Sequence, residues 1–252
     1  MSESTTRQSD SPVQSTPLGP APGAPGASAC TRHAPGRRMQ PARVATGQIA
    51  KFYDRIAPMY DGWAWLTERK ARKLAVERAA VQDGESVLEV AVGTGLMFRD
   101  LLRKNPTGKT VGVDLTEGML ARAKTKAQAF PAEQWALSVG DARKLPYADA
   151  TFDLIVNNYM FDLLPETDFG PVLAEFQRVL KPGGRMVLVN MATASPLNLW
   201  ELVYRVRPSL LGGCRGVQLE PFVRASGFER VERETLSQLG FHSELVTARR
   251  PA

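Results

Sequence analysis

From Thr46 onward, short runs rich in β-branched residues alternate with stretches whose apolar positions recur at helical spacing. The first kind fills buried strands and the second makes amphipathic helices. Ser86 to Ala91 (SVLEVA) predicts a strand, and Leu96 to Lys104 (LMFRDLLRK) a helix with Met97, Phe98, Leu101 and Leu102 on one face. Lys109 to Asp114 predicts the second strand, Thr116 to Ala129 a helix with Thr116 as N-cap, and Trp135 to Val139 the third strand. Phe152 to Asn157 follows as a fourth. Val172, Leu173, Phe176, Val179 and Leu180 mark a helix that stops at Lys181-Pro182-Gly183-Gly184, where proline and paired glycines break it. Arg185 to Asn190 is a fifth strand, followed by an irregular stretch to about Gly216 and a short helix over Leu219 to Ser226. Phe228 to Thr235 and Phe241 to Ala248 are close enough in sequence to pair antiparallel. Alternation of strand and helix predicts an α/β fold, a doubly wound, mostly parallel sheet with an antiparallel C-terminal strand pair.

Composition adds a boundary. Residues 1–42 hold seven prolines and no aromatic residue, too little apolar surface to offset the entropy of ordering, so this stretch reads as a disordered tail ahead of one domain over 43–252. Met39 could itself be the start of translation. Over the whole chain of 252 residues, 43% are hydrophobic and 23% charged, ordinary values for a globular protein. No stretch approaches the length of a membrane span or a secretory signal, which places the expected location in the cytoplasm, at most peripheral to a membrane. Two cysteines and two histidines are too few for a disulfide framework or a zinc site, so metal-free chemistry is expected. The net charge of +6 permits attraction to phosphates or an anionic surface without demonstrating either.

Candidate chemistry gathers after the first two strands. Ligands of open α/β sheets bind beyond the carboxyl ends of the strands, where strand order reverses. Glu89-Val90-Ala91-Val92-Gly93-Thr94-Gly95 turns from strand to helix through two glycines, which lets a ligand approach the backbone. Asp114 stands nineteen residues past Gly95 at the end of the second strand, where a carboxylate can accept from both ribose hydroxyls. A dinucleotide site would use the same geometry, but its third glycine position falls on bulky Phe98, and Glu89 would repel a pyrophosphate. An acidic loop suits a ligand bearing an ammonium group, such as S-adenosylmethionine.

The chain here resembles the class I S-adenosylmethionine-dependent methyltransferases, from about Thr46 to the C-terminus. Val87 to Gly95 resembles the family's glycine-rich first motif, Val111 to Asp114 its ribose-binding acid, Val139 to Ala142 its adenine-site block, and Leu180 to Arg185 the turn before its fifth strand. The resemblance implies a Rossmann-like fold with S-adenosylmethionine as cofactor. It also implies that Gly93 and Gly95 line the methionine portion, that Glu89 orients the loop or takes up the ammonium group, and that Asp114 holds the ribose. Asp141 would accept from the adenine amino group, Ala142 would present a backbone N–H, Leu115 or Met119 would cover the ring, and Asn157 would offer its backbone carbonyl, a role in which its side chain matters little. One departure is visible: Ala91 stands where the family usually has glycine, from which altered loop packing is expected and retained binding.

Within the class, Phe52 to Asp61 is similar to the N-terminal segment of the quinone-biosynthesis C-methyltransferases and of bacterial phospholipid N-methyltransferases, where it lids the cofactor. Tyr53 and Tyr60 thereby become candidate contacts, or they simply pack a helix. Asn158 to Pro165 does not match the quinone enzymes. Methyl transfer needs little beyond positioning, with the acceptor held about 3 to 3.5 Å from the methyl carbon. Where a proton must leave the acceptor, the polar groups expected near the pocket are Asp162, Tyr159 and His242. The absence of a proline motif after the fourth strand, and of an interleaved basic and aromatic surface, argues against a nucleic-acid substrate. A small, hydrophobic or lipid-like acceptor is expected, its pocket shaped by 193–216. Trp63, Trp65 and Leu66 lead into Glu68 to Lys73, an aromatic-then-basic helix that could rest on an anionic membrane, although a plain solvated face is the simpler reading. Two alternatives stay open: a nicotinamide-dependent oxidoreductase, and a protein that binds S-adenosylmethionine without transferring methyl. The sequence leaves the oligomeric state undetermined.

Overall fold

A computed structural model describes residues 39, 41–42, 61–62, 64–193, 206 and 214–252, all within one compact unit that spans Pro35–Ala252. The expected disordered tail, apart from Met39, Pro41 and Ala42, lies outside the described residues. So do Tyr53, Tyr60 and most of 193–216. Chain order is α1 (Arg69–Ala79), β1 (Ser86–Val90), α2 (Leu96–Lys104), β2 (Lys109–Asp114), α3 (Glu117–Ala127), β3 (Trp135–Val139), β4 (Phe152–Asn158), α4 (Phe169–Val179), β5 (Leu180–Met191), α5 (Glu220–Ala225), β6 (Glu229–Gln238) and β7 (Phe241–Arg249).

The strands form one sheet in the order β3-β2-β1-β4-β5-β7-β6. The first five are parallel, and β7 enters antiparallel between β5 and β6. Strand β1 is buried on both faces, which explains its unbroken apolar run. Its Val87, together with Val156 and Val187, packs against Ala71, Ala75 and Ala79 of α1, whose small side chains let the helix lie close. On the other face Leu88, Ile155 and Leu188 meet Phe169, Phe176 and Val179 of α4. Chain order runs outward from β1 through β2 to β3 and then returns to β4, so the strand order reverses between β1 and β4.

Several boundaries move, each for a local reason. Strand β1 ends at Val90, because Ala91 takes φ +57°. Helix α4 stops at Val179, and Leu180 already pairs with Phe152; the Lys181 to Gly184 turn is a bulge inside β5 rather than a connection, with pairing resuming at Arg185 and Leu154. Thr116 occupies the N-cap position of α3 but does not cap it, since its hydroxyl donates to Asp114 instead. Helix α1 receives help from far along the chain: Gln238 Oε1 accepts from the Lys70 N–H (2.8 Å), one of the orphan donors of the first turn.

Candidate functional site

The loop after β1 and the end of β2 are held together by one carboxylate. Asp114, the last residue of β2, accepts at Oδ2 from the Gly93 N–H (2.8 Å) and at Oδ1 from the Thr116 N–H (2.9 Å) and hydroxyl (2.7 Å). Burial pushes its carboxyl above the usual value while these donors pull it back. Oδ1 already takes two donors, so the remaining lone-pair capacity for a ligand hydroxyl lies at Oδ2.

The two glycines of the loop differ in what they permit. Gly93 has φ +56°, and a Cβ there would meet nothing within 4 Å, so its open side is space for a ligand. At Gly95, φ is +82° and a Cβ would stand 2.7 Å from Ala123 Cα. This glycine is required for the close approach of α2 to α3, and it does not line the cleft.

A cleft partly open to solvent lies beyond the carboxyl ends of β1, β2 and β4. Gly93, Asp114, Leu115, Met119, Asp141 and Ala142, named from the sequence, all line it. Leu115 is 45% exposed there, an apolar surface available to a flat ring. Asp141 is gripped by Arg143, whose Nε (3.0 Å) and Nη2 (2.6 Å) donate to its two oxygens while Nη1 donates to Asp168 (3.1 Å). This guanidinium holds the Asp141 carboxyl below its usual range. Arg143 also lines the cleft and was not anticipated, although its place two residues after Asp141 in the same loop was the available signal.

A second, smaller cavity shares Ala91, Gly93, Asn158 and Tyr159 with the first. Glu89 lines this one rather than the main cleft. Its side chain is 1% exposed, Oε2 has no hydrogen-bond partner, and burial followed by the Asp114 charge pushes its pKa well above the ordinary value. A buried acid with an open acceptor atom is costly unless a donor or a cation completes it. The loop is braced from outside by Asp61, which accepts from the Thr94 hydroxyl and pairs with Lys126 (2.9 Å), itself bonded to the Thr94 carbonyl. Asp61 ends the segment whose tyrosines lie outside the described residues.

Other expected residues fall elsewhere. Asn157 is fully buried on β4, its Nδ2 donating to the Val90 carbonyl (2.7 Å); the neighbouring Asn158 lines both cavities instead. Alternation of successive side chains turns that of Asn157 away from both cavities, while the expected contact was through its backbone carbonyl. Tyr159, held at φ +51°, lines both cavities, and its hydroxyl is hydrogen-bonded to Ser243 Oγ (2.7 Å). Burial keeps this phenol protonated by raising its pKa further, so it is no base. Asp162 lies outside the cleft wall, fully buried, and burial pushes it up to about 7 against the downward pull of its own N–H, Arg215, Cys214 and the Met191 backbone. His242 sits in β7 opposite Ser237 and lines neither cavity.

The residues fit S-adenosylmethionine on two counts. A ligand can fill the space that a side chain at Gly93 would take, and the orphaned Glu89 oxygen offers an acceptor for an ammonium group.

Comparison with known proteins gives the same assignment. Residues 87–184 match the family described as "Methyltransferase domain". A demethylmenaquinone methyltransferase of Oceanobacillus iheyensis is 34% identical over 162 residues, covering 62% of this chain and 67% of that protein. The ubiquinone/menaquinone biosynthesis C-methyltransferase of Desulfotalea psychrophila is 31% identical over 207 residues, 79% of this chain and 78% of its own length. Against other relatives the chain spans less, 60% of the Tropheryma whipplei demethylmenaquinone methyltransferase. Among solved structures, the Haemonchus contortus phosphoethanolamine N-methyltransferase 2 bound to S-adenosylhomocysteine superposes with a TM-score of 0.66 at 15% identity, over 83% of this chain and 61% of that one. The cyclase SpnF superposes at 0.69 and 20% identity, over 85% and 100%, so the fold by itself does not dictate the reaction. With the site and the sequence relatives in agreement, the chain belongs to the class I S-adenosylmethionine-dependent methyltransferases and S-adenosylmethionine is its cofactor.

Proposed function

We propose that this methyltransferase, with 43–252 as its catalytic domain, methylates a ring carbon of a hydrophobic, quinol-type acceptor. The supporting observation is the cleft wall after β4: Met160, Leu163 and Leu164 give the pocket an apolar side that is contiguous with Gly93 and Asp114. Sequence relatives named for demethylmenaquinone methylation support the same acceptor class.

In this reading Asp114 accepts from the ribose, Leu115 and Met119 flank the adenine, and the Ala142 N–H faces its edge. Asp141 accepts from the adenine amino group on the side not taken by Arg143. Glu89 takes up the ammonium end in the second cavity, and the β4 carbonyl contact falls to Asn158 rather than Asn157. The bound cofactor supplies an electrophilic methyl group on a sulfonium. Tyr159 and Met160 hold the acceptor carbon on line with it, at about 3 to 3.5 Å. An electron pair of the ring forms the new C–C bond as the C–S bond breaks, and the ring then loses its proton. Tyr159, held neutral, acts only as a positioning hydroxyl; no base in the cleft is assigned to the proton.

The test is incubation of the full chain with methyl-labelled S-adenosylmethionine and, in separate reactions, a short-chain demethylated naphthoquinol and phosphoethanolamine. Label on the naphthoquinol ring carbon is expected. Label on phosphoethanolamine alone, or on neither, would overturn the reading.

A further inference from the structure

The turn between β6 and β7 has two residues, Leu239 and Gly240, because Gln238 pairs directly with Phe241. Both turn residues have positive φ, +52° and +75°, the pattern of a type I′ turn. The first position of such a turn favours asparagine, aspartate or glycine, and leucine there is strained. Leu239 is nevertheless 68% exposed, so burial does not compensate the strain.

The neighbours of this leucine suggest what does. Gln238 Nε2 donates to the carbonyls of Trp65 and Leu66, which clamps the hairpin tip onto the segment leading into α1. Trp65 is 57% exposed and Leu66 44%, so three of the six large exposed hydrophobic residues among the described residues, from two distant parts of the chain, meet at one corner. Beside them, Arg69, Lys70 and Lys73 are exposed on α1 and have no acidic partner among the described residues; Arg69 lies over the Trp65 ring at 5.6 Å. The nearest acid on β6 facing α1, Glu234, is already neutralised by Arg78. Ala64 and Glu68 from the same segment line the Glu89 cavity, so the corner adjoins the site.

We propose that Trp65, Leu66 and Leu239, flanked by Arg69, Lys70 and Lys73, dock this enzyme on an anionic lipid bilayer. Apolar side chains enter the headgroup boundary while the cations meet lipid phosphates, the arrangement of an interfacial anchor. No helix among the described residues is long and apolar enough to cross a membrane, so the attachment is peripheral and reversible. A bilayer is also where a hydrophobic acceptor is concentrated. That benefit rests on the acceptor reading above, whereas the docking rests on the corner itself.

Co-sedimentation of the full chain with vesicles of phosphatidylcholine, with and without phosphatidylglycerol, is the test. Binding is expected to the phosphatidylglycerol vesicles and to weaken at high salt. The double variant K70E/K73E should lower the affinity at least about thirtyfold, as expected for removing two cations near an anionic surface. Leu239→Asn should lower it at least about tenfold, the loss for one large apolar side chain, while raising the thermal midpoint because asparagine suits the turn. That opposite response separates lost docking from lost folding. Equal binding to both vesicle types, or unchanged binding of Leu239→Asn, would overturn the proposal, as would a dimer in free solution that Leu239→Asn dissociates. A chain that binds these vesicles but methylates no quinol would sink the acceptor reading and leave the docking standing.

Discussion

Ala91 lies at φ +57°, in the left-handed region where a Cβ crowds the following carbonyl. The family pattern puts glycine here, and the sequence alone suggests only that the loop packs differently. The structure shows the backbone keeping the conformation a glycine would take, with the alanine bearing the strain. Ala91→Gly relieves about 1 to 2 kcal/mol of left-handed strain and loses about 0.5 to 1 kcal/mol to the freer unfolded chain. A net stabilisation of about 0.5 to 1 kcal/mol is expected in urea unfolding, with cofactor affinity in calorimetry unchanged within a few-fold. Destabilisation would mean that the alanine methyl is itself a required contact. Gly93 and Asp114 were legible because their backbone position dictates their type. Arg143 and Asn158 were not, since an arginine after an aspartate and one asparagine rather than its neighbour acquire meaning only from where a turn and a strand register point them.

Elements were legible where periodicity is strong, at β1, β2, α2 and α4, and less so where a boundary depends on a partner distant in sequence. Pairing of Leu180 with Phe152 absorbs the proline and glycines that read locally as a full stop, and the Asp114 carboxylate draws Thr116 away from capping. Gly95 is the sharpest case. From its motif it reads as a ligand contact, yet its missing Cβ is what lets α2 approach Ala123 of α3. Gly95→Ala therefore adds left-handed strain of about 1 to 2 kcal/mol to overpacking of about 1 to 3 kcal/mol. A loss of about 2 to 5 kcal/mol in unfolding free energy is expected. The second substitution Ala123→Gly should return part of it, because the two sites share one contact. No recovery in the double variant would show that the backbone angle alone carries the cost.

At the scale of the whole molecule, the buried acids set the pH response. Asp162, Glu89, Asp114 and Glu244 are pushed upward mainly by burial, Asp162 to about 7. Asp61, Asp141, Asp153, Glu175 and Glu234 are held down by basic partners. The second group stabilises the fold above the ordinary carboxylate range, and that contribution is lost as pH falls through their lowered values. The first group acts in the opposite sense: in the unfolded chain these acids ionise near pH 4, whereas in the fold they keep their protons to higher pH. Stability therefore declines as pH rises from about 4 through 7, since the native state then binds more protons than the unfolded one. For Asp162 the interval of about three units corresponds to up to about 4 kcal/mol, at 1.36 kcal/mol per unit. Maximum stability is thus expected on the acid side of neutrality, between the regions where the two groups act. Urea unfolding between pH 5 and 8 should show a falling midpoint. In Asp162→Asn that slope should flatten, because an amide cannot ionise, even if the amide changes the absolute stability through its contact with the Arg215 region. A variant slope equal to that of the parent would place the titration elsewhere, on Glu89, Asp114 or Glu244. Cofactor then separates the Glu89 part from the Asp162 part: an ammonium group beside Glu89 favours its ionised form, so saturating S-adenosylmethionine should reduce the part of the slope that Glu89 carries and leave the Asp162 part in place.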